Sequence, residues 1–434
     1  MDRPTRRRVL RVGALAAATA GCVARRGTTP TEESTGTPPG ATPDTSTETP
    51  TETSSETPTD HASEHVAWRR PVDGAVDVVP AVQGGTAFVG TDEGTLHALS
   101  GGDGTERWSA GFDAPTRSVT AVDGLVLVVV GTHELGNDHE VFALAPDGTE
   151  RWRFAPGEWW LTVVGVHGET VYVATGDDAI GSEGETLYAL DRASGEVRWS
   201  AEVGDPGGGL VTDRAVYVPT YDRLYAYDHD DTRRWDREGI DYGYRTLVVV
   251  GDTVALVIRT DDGQRAAVGL ATADGSERWR LDDWFVTSLR AVDGDLYAGG
   301  EHVAALNPAT GERRWESSAG GSIYDAPVVD GTLYSGGQSI AAVATGDGTV
   351  RWTAEPDVYL VDPVAVLDGT VYAHGSATED DRNRHLLGFG ADGGSHRWTV
   401  ATEQPLEDPV VVGESGGDGP LVAGSGGGVV YGFE

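Results

Sequence analysis

The sequence predicts an all-β protein whose body is a closed β-propeller of four-stranded blades. Three observations lead there. A unit of about 40 residues recurs along most of the chain, and such a period marks a repeat architecture. Each unit ends in a Trp preceded by a Gly-bearing turn, and within each unit short apolar runs alternate between Gly/Asp turns. Cysteine occurs once, which excludes a disulfide framework, and 61 glycines suit a chain made of hairpins.

The first segment reads as an address. Thr5, Arg6, Arg7, Arg8, Val9, Leu10 and Arg11 resemble a twin-arginine export signature, with Arg6 and Arg7 as its pair, and the Ala-rich run to Ala20 is a short apolar core. Thr19-Ala20-Gly21-Cys22 resembles a lipobox, with Thr19 standing where Leu or Val is usual. The expectation is a signal peptide over 1–21 and a lipid on Cys22. Residues 22–63 follow as a stalk rich in Thr, Pro, Glu and Ser, which cannot bury enough apolar surface to fold.

From 64 to 434 the repeat takes over. Eight segments end at Trp108, Trp152, Trp199, Trp235, Trp279, Trp315, Trp352 and Trp398. Nine or ten residues before each stands a small residue followed by an apolar one, as in Ala98-Leu99, Gly269-Leu270 and Gly388-Phe389. The small residue leaves room that the Trp is expected to fill by docking between units. Gly four residues before Trp supplies a positive φ, and Asp231 takes that slot once. The Arg before each Trp is expected to point outward to water.

Closure follows from the two ends. The last unit stops at Glu434 just where its Trp strand should come, while Trp68 sits in a strand with no unit before it. Pairing of that N-terminal strand with the C-terminal blade would close the ring and leave no open edge. The blade number is eight to nine, and the repeat count favours nine.

The run Ala189-Leu190-Asp191-Arg192-Ala193-Ser194-Gly195-Glu196-Val197-Arg198-Trp199 resembles the quinoprotein-type, or PQQ-like, propeller repeat. That family includes quinoprotein dehydrogenases and the non-enzymatic lipoprotein scaffold of the BamB type. The resemblance implies, for the dehydrogenases, a cysteine pair beneath the quinone and acidic Ca²⁺ ligands in the central funnel. Here Cys22 is the sole cysteine, so no catalytic residue carries over. The leading expectation is an extracytoplasmic, membrane-tethered scaffold that binds envelope proteins or glycans without catalysis or cofactor. The alternatives are a dehydrogenase using PQQ with Ca²⁺, and a glycan- or solute-binding protein.

Candidate sites are few. Trp159, Trp160, Tyr242, Tyr244, Trp284, Phe285, Tyr324 and Tyr359 lie soon after successive repeat tryptophans, where the chain leads into the innermost strand of the next unit. They could rim the channel mouth and stack a ligand, or pack between blades. Asp177, Asp178, Glu183 and Glu185 in one long loop, and Glu379, Asp380 and Asp381 in another, could offer oxygen ligands to Ca²⁺, but neither has EF-hand spacing and carboxylates are everywhere on this chain, which favours plain solvated loops. His133 and His139, with Glu134, Asp138 and Glu140, are the nearest approach to a divalent metal set, against a plain loop.

Charge sets the partner class. All 32 basic residues are Arg, against 69 acidic ones, for a net −37. Such a polyanion repels nucleic acid. Self-repulsion is suppressed at molar salt, where the screening length is about 3 Å, so an extreme halophile's protein is expected.

Overall fold

The computed structural model describes residues 64–132, 139–157, 160–176, 185–204, 206, 208–241, 246–260, 263–324, 326–376, 378, 384–407, 409–411 and 420–434. These form nine four-stranded antiparallel sheets. Blade 1 is typical, with strands Ala81–Gln83, Thr86–Gly90, Thr95–Ser100 and Glu106–Gly111 joined in sequence. In blade 9 the strands Val410–Val411, Leu421–Ser425 and Val429–Phe433 are completed by Val66–Pro71 from the other end of the chain. Val66 lies opposite Phe433 and Pro71 opposite Val429, so the ring closes as expected, at nine blades.

First strands of neighbouring blades approach one another at six of the nine junctions, including that of blades 9 and 1, and so line the centre. The Trp-bearing fourth strands form the rim. Hydrophobic clusters lie between blades: Val250, Ala255, Val257 and Trp279 of blade 5 pack with Leu289, Leu296 and Leu306 of blade 6. Burial of these apolar faces, at about 25 cal/mol per Å², drives the stacking that no single blade could sustain.

The repeat Trp explains why the units stack in this register. Its ring stands against the small residue of its own third strand: a Cβ on Gly269 would fall 2.1 Å from Trp279, and one on Gly388 2.3 Å from Trp398. Its other contact is the turn of the next blade. Trp235 lies on Gly275 and Trp279 on Gly311, where an added Cβ would approach to 2.6 and 2.7 Å. The indole Nε1 donates to a carbonyl of that same turn: Trp68 to Gly101, Trp108 to Pro146, Trp152 to Arg192, Trp199 to His229, Trp235 to Thr272, Trp279 to Pro308, Trp315 to Thr345 and Trp352 to Ala391. At the seam the ninth, Trp398, stacks on His65, 4.6 Å between centroids. Eight of the nine indoles thus donate to the neighbouring turn while joining two blades.

The arginines before the tryptophans differ from expectation. They are exposed, yet they do not simply extend into water. In blades 1 to 8 the register shifts just after the small residue, so that Ala98 faces Trp108 while Leu99 faces Glu106 and Arg107 is the extra residue of a bulge. A bulge re-aims its side chain. In six of the eight units the guanidinium folds back across the sheet to the first residue of the second strand: Arg107 donates to Thr86, Arg198 to Thr170, Arg278 to Thr253, Arg351 to Thr332 and Arg397 to Thr370, while Arg314 pairs with Asp295; Arg234 pairs with Asp228 instead.

The turn aspartates add an acid-sensitive element. Asp103, Asp147, Asp274 and Asp347 each accept the backbone N–H two residues on, at 3.0 Å. Hydroxyl bonds from Ser100 to Asp103 and from Ser276 to Asp274, and the backbone bonds first of all at Asp147 and Asp347, favour the ionised form and hold all four carboxyls below the ordinary 3.8. The Arg198 guanidinium and the N–H groups of Ser194 and Ala193 bring Asp191 to about 2. A carboxyl depressed in the folded state stabilises above its unfolded pKa and loses that contribution as pH falls through its folded value. In molar salt, where general repulsion is screened, melting temperature is expected to be level above about pH 5 and to fall from 3.8 toward about 2. A melting temperature unchanged down to the lower limit would contradict this.

Candidate functional site

The two faces of the disc differ. One carries the connections that lead into each first strand, together with the hairpins between second and third strands. The other carries the remaining hairpins, and the chain comes into the propeller there, because Val66 pairs with the end of a third strand. Among the described residues seven large hydrophobic side chains are exposed. Five of them, Tyr221, Phe285, Tyr324, Tyr359 and Leu360, are on the first face, at 42 to 53% exposure. Val197 and Val329 are on the other.

The aromatic residues expected near the mouth divide. Phe285, Tyr324 and Tyr359 present exposed rings from consecutive blades 6, 7 and 8. Trp284, one residue before Phe285, is 8% exposed and packs in the core between blades 5 and 6, with the Arg313 guanidinium 5.5 Å from its ring. Trp160 is half-buried against His139, 5.3 Å between ring centroids. Trp159, Tyr242 and Tyr244 lie outside the described residues, as do Arg6, Arg7 and Cys22. Tyr221, in a hairpin of blade 4, joins the exposed rings of this face without a sequence signal. It sits between Thr220 and Asp222 in a short turn, and no repeat position marks it.

Backbone bonds between blades hold this arc in place. Gly321 N–H donates to Gly300, Ser322 and Gly336 exchange a pair, and Gly337 and Val361 exchange another, all at 2.7–2.9 Å. The approach is too close for a side chain: a Cβ on Gly321 would fall 2.1 Å from the Gly336 carbonyl. Phe285 is fixed by its carbonyl, which accepts from Glu301 N–H, and Tyr359 by its N–H, which donates to Ser376.

An ionic group lies on the same face. Arg117, on the first strand of blade 2, donates from Nε to Gly131 at 2.8 Å, beside Asp77 and Asp92. Burial pushes the Asp77 carboxyl up, Asp92 adds to this, and Arg117 opposes it. Burial lowers the Arg117 pKa, against the pull of both carboxylates. At the seam His97 stands between two acids, Nε2 2.6 Å from Asp73 and Nδ1 2.9 Å from Glu106, which also faces Arg70 at 3.6 Å. This network binds the closing strand to blade 1. Burial pushes the Asp73 carboxyl up, but bonds from His97 and Thr95 outweigh it and the net direction is down.

The metal expectations fall mostly elsewhere. Asp177, Asp178, Glu183, Glu379, Asp380, Asp381, His133, Glu134 and Asp138 lie outside the described residues. His139 is buried with Nε2 3.1 Å from the Thr132 carbonyl, and Glu185 is buried, its carbonyl accepting from Val203. Among the described residues no three His, Cys, Asp or Glu side chains gather as a metal set.

Fold, repeat and face together define a propeller of PQQ-like repeats. The sequence model of the family described as outer membrane protein assembly factor BamB matches residues 57–141, 137–283 and 299–433, and the chain belongs to that family. It is similar to outer membrane protein assembly factor BamB of Yersinia pestis, 26% identical over 226 residues, which cover 46% of this chain and 56% of that protein. It is also similar to a protein of Paracoccus denitrificans named as the dehydrogenase XoxF, 31% identical over 148 residues, covering 33% of this chain and 20% of the other. The chain thus spans little more than half of one relative and a fifth of the other. The crystal structure of BamB from Moraxella catarrhalis shares the fold with a TM-score of 0.52, at 16% identity, over 84% of this chain and 98% of that one.

Proposed function

We propose that the protein is a non-catalytic propeller, tethered by a lipid on Cys22 to the outer side of the cell membrane after twin-arginine export, which holds envelope protein partners on its aromatic face. The asymmetry of the disc carries this reading. Exposed rings gather on one face, held by backbone bonds, and such preorganised aromatic area is what protein partners bind. The stalk joins the opposite face, so a tether of roughly 100 Å when extended leaves the rings free to meet a partner. The acidity supports a halophilic setting, in which dialysis into dilute buffer is expected to abolish near-UV circular dichroism.

A photo-crosslinking residue placed at Tyr359 is expected to capture envelope proteins in cells, and one at Val197 is not. Equal capture at both positions would sink the assignment of the face. Cys22→Ser is expected to move the protein from the membrane to the soluble fraction. A dehydrogenase reading is favoured by the match to XoxF, and substrate oxidation on adding quinone and Ca²⁺ would establish it in place of the scaffold.

A further inference from the structure

We propose that the arc formed by Phe285, Tyr324 and Tyr359 recognises a cationic polypeptide segment, whose Arg or Lys side chains stack on the rings beside the carboxylates of Glu301 and Asp357. The proposal rests on the scaffold reading and specifies its partner's chemistry. Three observations point to a cation. First, exposed carboxylates accompany the rings: Glu301 is bonded through its N–H to the Phe285 carbonyl, and Asp357 is two residues from Tyr359. A ring face and an adjacent carboxylate both attract a guanidinium or ammonium group. Second, the protein already uses this contact within itself. Arg265 lies 4.8 Å from the centroid of Phe285, and Arg69 lies 5.6 Å from that of Tyr431. Third, a net charge of −37 repels an anionic partner and complements a basic one.

The geometry selects an extended segment. The rings come from three consecutive blades, and the glycine seam that bonds blades 6, 7 and 8 holds the connections that carry them, so an extended segment laid across these blades reaches more than one ring. At molar salt, where the screening length is about 3 Å, long-range attraction disappears and contact pairs remain. Binding is therefore expected to persist in molar KCl.

The test uses the full chain in molar KCl with labelled peptides of alternating Arg–Gly, Gln–Gly and Glu–Gly sequence. The Arg–Gly peptide is expected to bind, and the double variant Tyr324→Ala/Tyr359→Ala, which changes no charge, is expected to weaken it about tenfold at unchanged melting temperature. Tyr359→Phe is expected to retain binding. Equal binding of the Arg–Gly peptide by the double variant would overturn the proposal, leaving only diffuse attraction to an acidic surface. Equal binding of the Gln–Gly peptide, or no peptide binding while Tyr359 still crosslinks partners, would also overturn it and leave the scaffold reading standing. Loss of the crosslinks themselves would remove both.

Discussion

A chain that begins at Asp73, lacking the strand Val66–Pro71, is expected to lose the cooperative melting of the full chain. The strand makes one side of the blade 9 ladder, pairing from Val66 opposite Phe433 to Pro71 opposite Val429. Without it, the edge of Val429–Phe433 is open to other chains. Trp68 leaves as well, and with it the contact on Gly104, the contact on Gly432 and the hydrogen bond to Gly101. A fully buried Trp is worth about 3–5 kcal/mol, and the half-buried Trp68 contributes part of that, against a total domain stability of roughly 5–15 kcal/mol. The ionic network also loses Arg70, while His97 keeps its two carboxylates. Tryptophan fluorescence and far-UV circular dichroism in molar salt are expected to show a broad, early transition and concentration-dependent association. A synthetic peptide covering 64–72, added in trans, is expected to restore part of the lost melting temperature. Truncated and full chains melting together would show that blade packing holds the ring without its closure.

Closure and blade packing were legible because the repeat states them many times. Eight tryptophans at the same distance from a turn that carries Gly in seven units and Asp231 in the other define a contact, and the one strand with Trp68 and no unit of its own defines the seam. The fate of the arginines was not legible. Alternation along a regular strand puts Arg107 on the outer face, but the bulge between Ala98 and Leu99 breaks that alternation. Its partner Thr86 is 21 residues upstream, whereas Thr170 is 28 upstream of Arg198, so no fixed spacing announces the pair. A cue was available in the Thr that follows the first hairpin of several units, as in Gly331-Thr332 and Gly369-Thr370. The aromatic arc was legible in part. Trp284 and Phe285 are adjacent and belong to an irregular connection, where no period tells which of two neighbours turns into the core. Trp284 meets Leu281 and Leu289, and Phe285 meets water and Arg265.

The glycine at the blade junction gives the sharpest separation of backbone strain from packing. Gly275→Ala is expected to destabilise far more than Gly263→Ala, although both residues have positive φ, +69 and +81. An Ala at either site bears the left-handed cost of about 1–2 kcal/mol. At Gly263 nothing lies within 4 Å of the added Cβ, so the cost ends there. At Gly275 the Cβ would stand 2.6 Å from the Trp235 ring, which is 93% buried and donates to Thr272 at 3.0 Å. The ring must shift, and overpacking of this kind adds about 1–3 kcal/mol, with about 1 kcal/mol more if the indole hydrogen bond fails. Denaturant unfolding in molar salt reads the difference directly. The double variant Gly275→Ala/Trp235→Ala is expected to cost less than the sum of the single ones, because the ring that the methyl would meet is gone. Blade 4 offers a built-in comparison: Asp231, φ +80, occupies the same slot, and the Trp199 indole there reaches its carbonyl at 3.2 Å, longer than the 2.8–3.0 Å of the other seven. Asp231→Gly is therefore expected to stabilise the protein, since it removes the strain and lets the ring seat as it does elsewhere. Additive costs at Gly275 and Trp235, or a loss at Asp231→Gly, would mean that the turn is shaped by its own sequence and that the indole merely covers it.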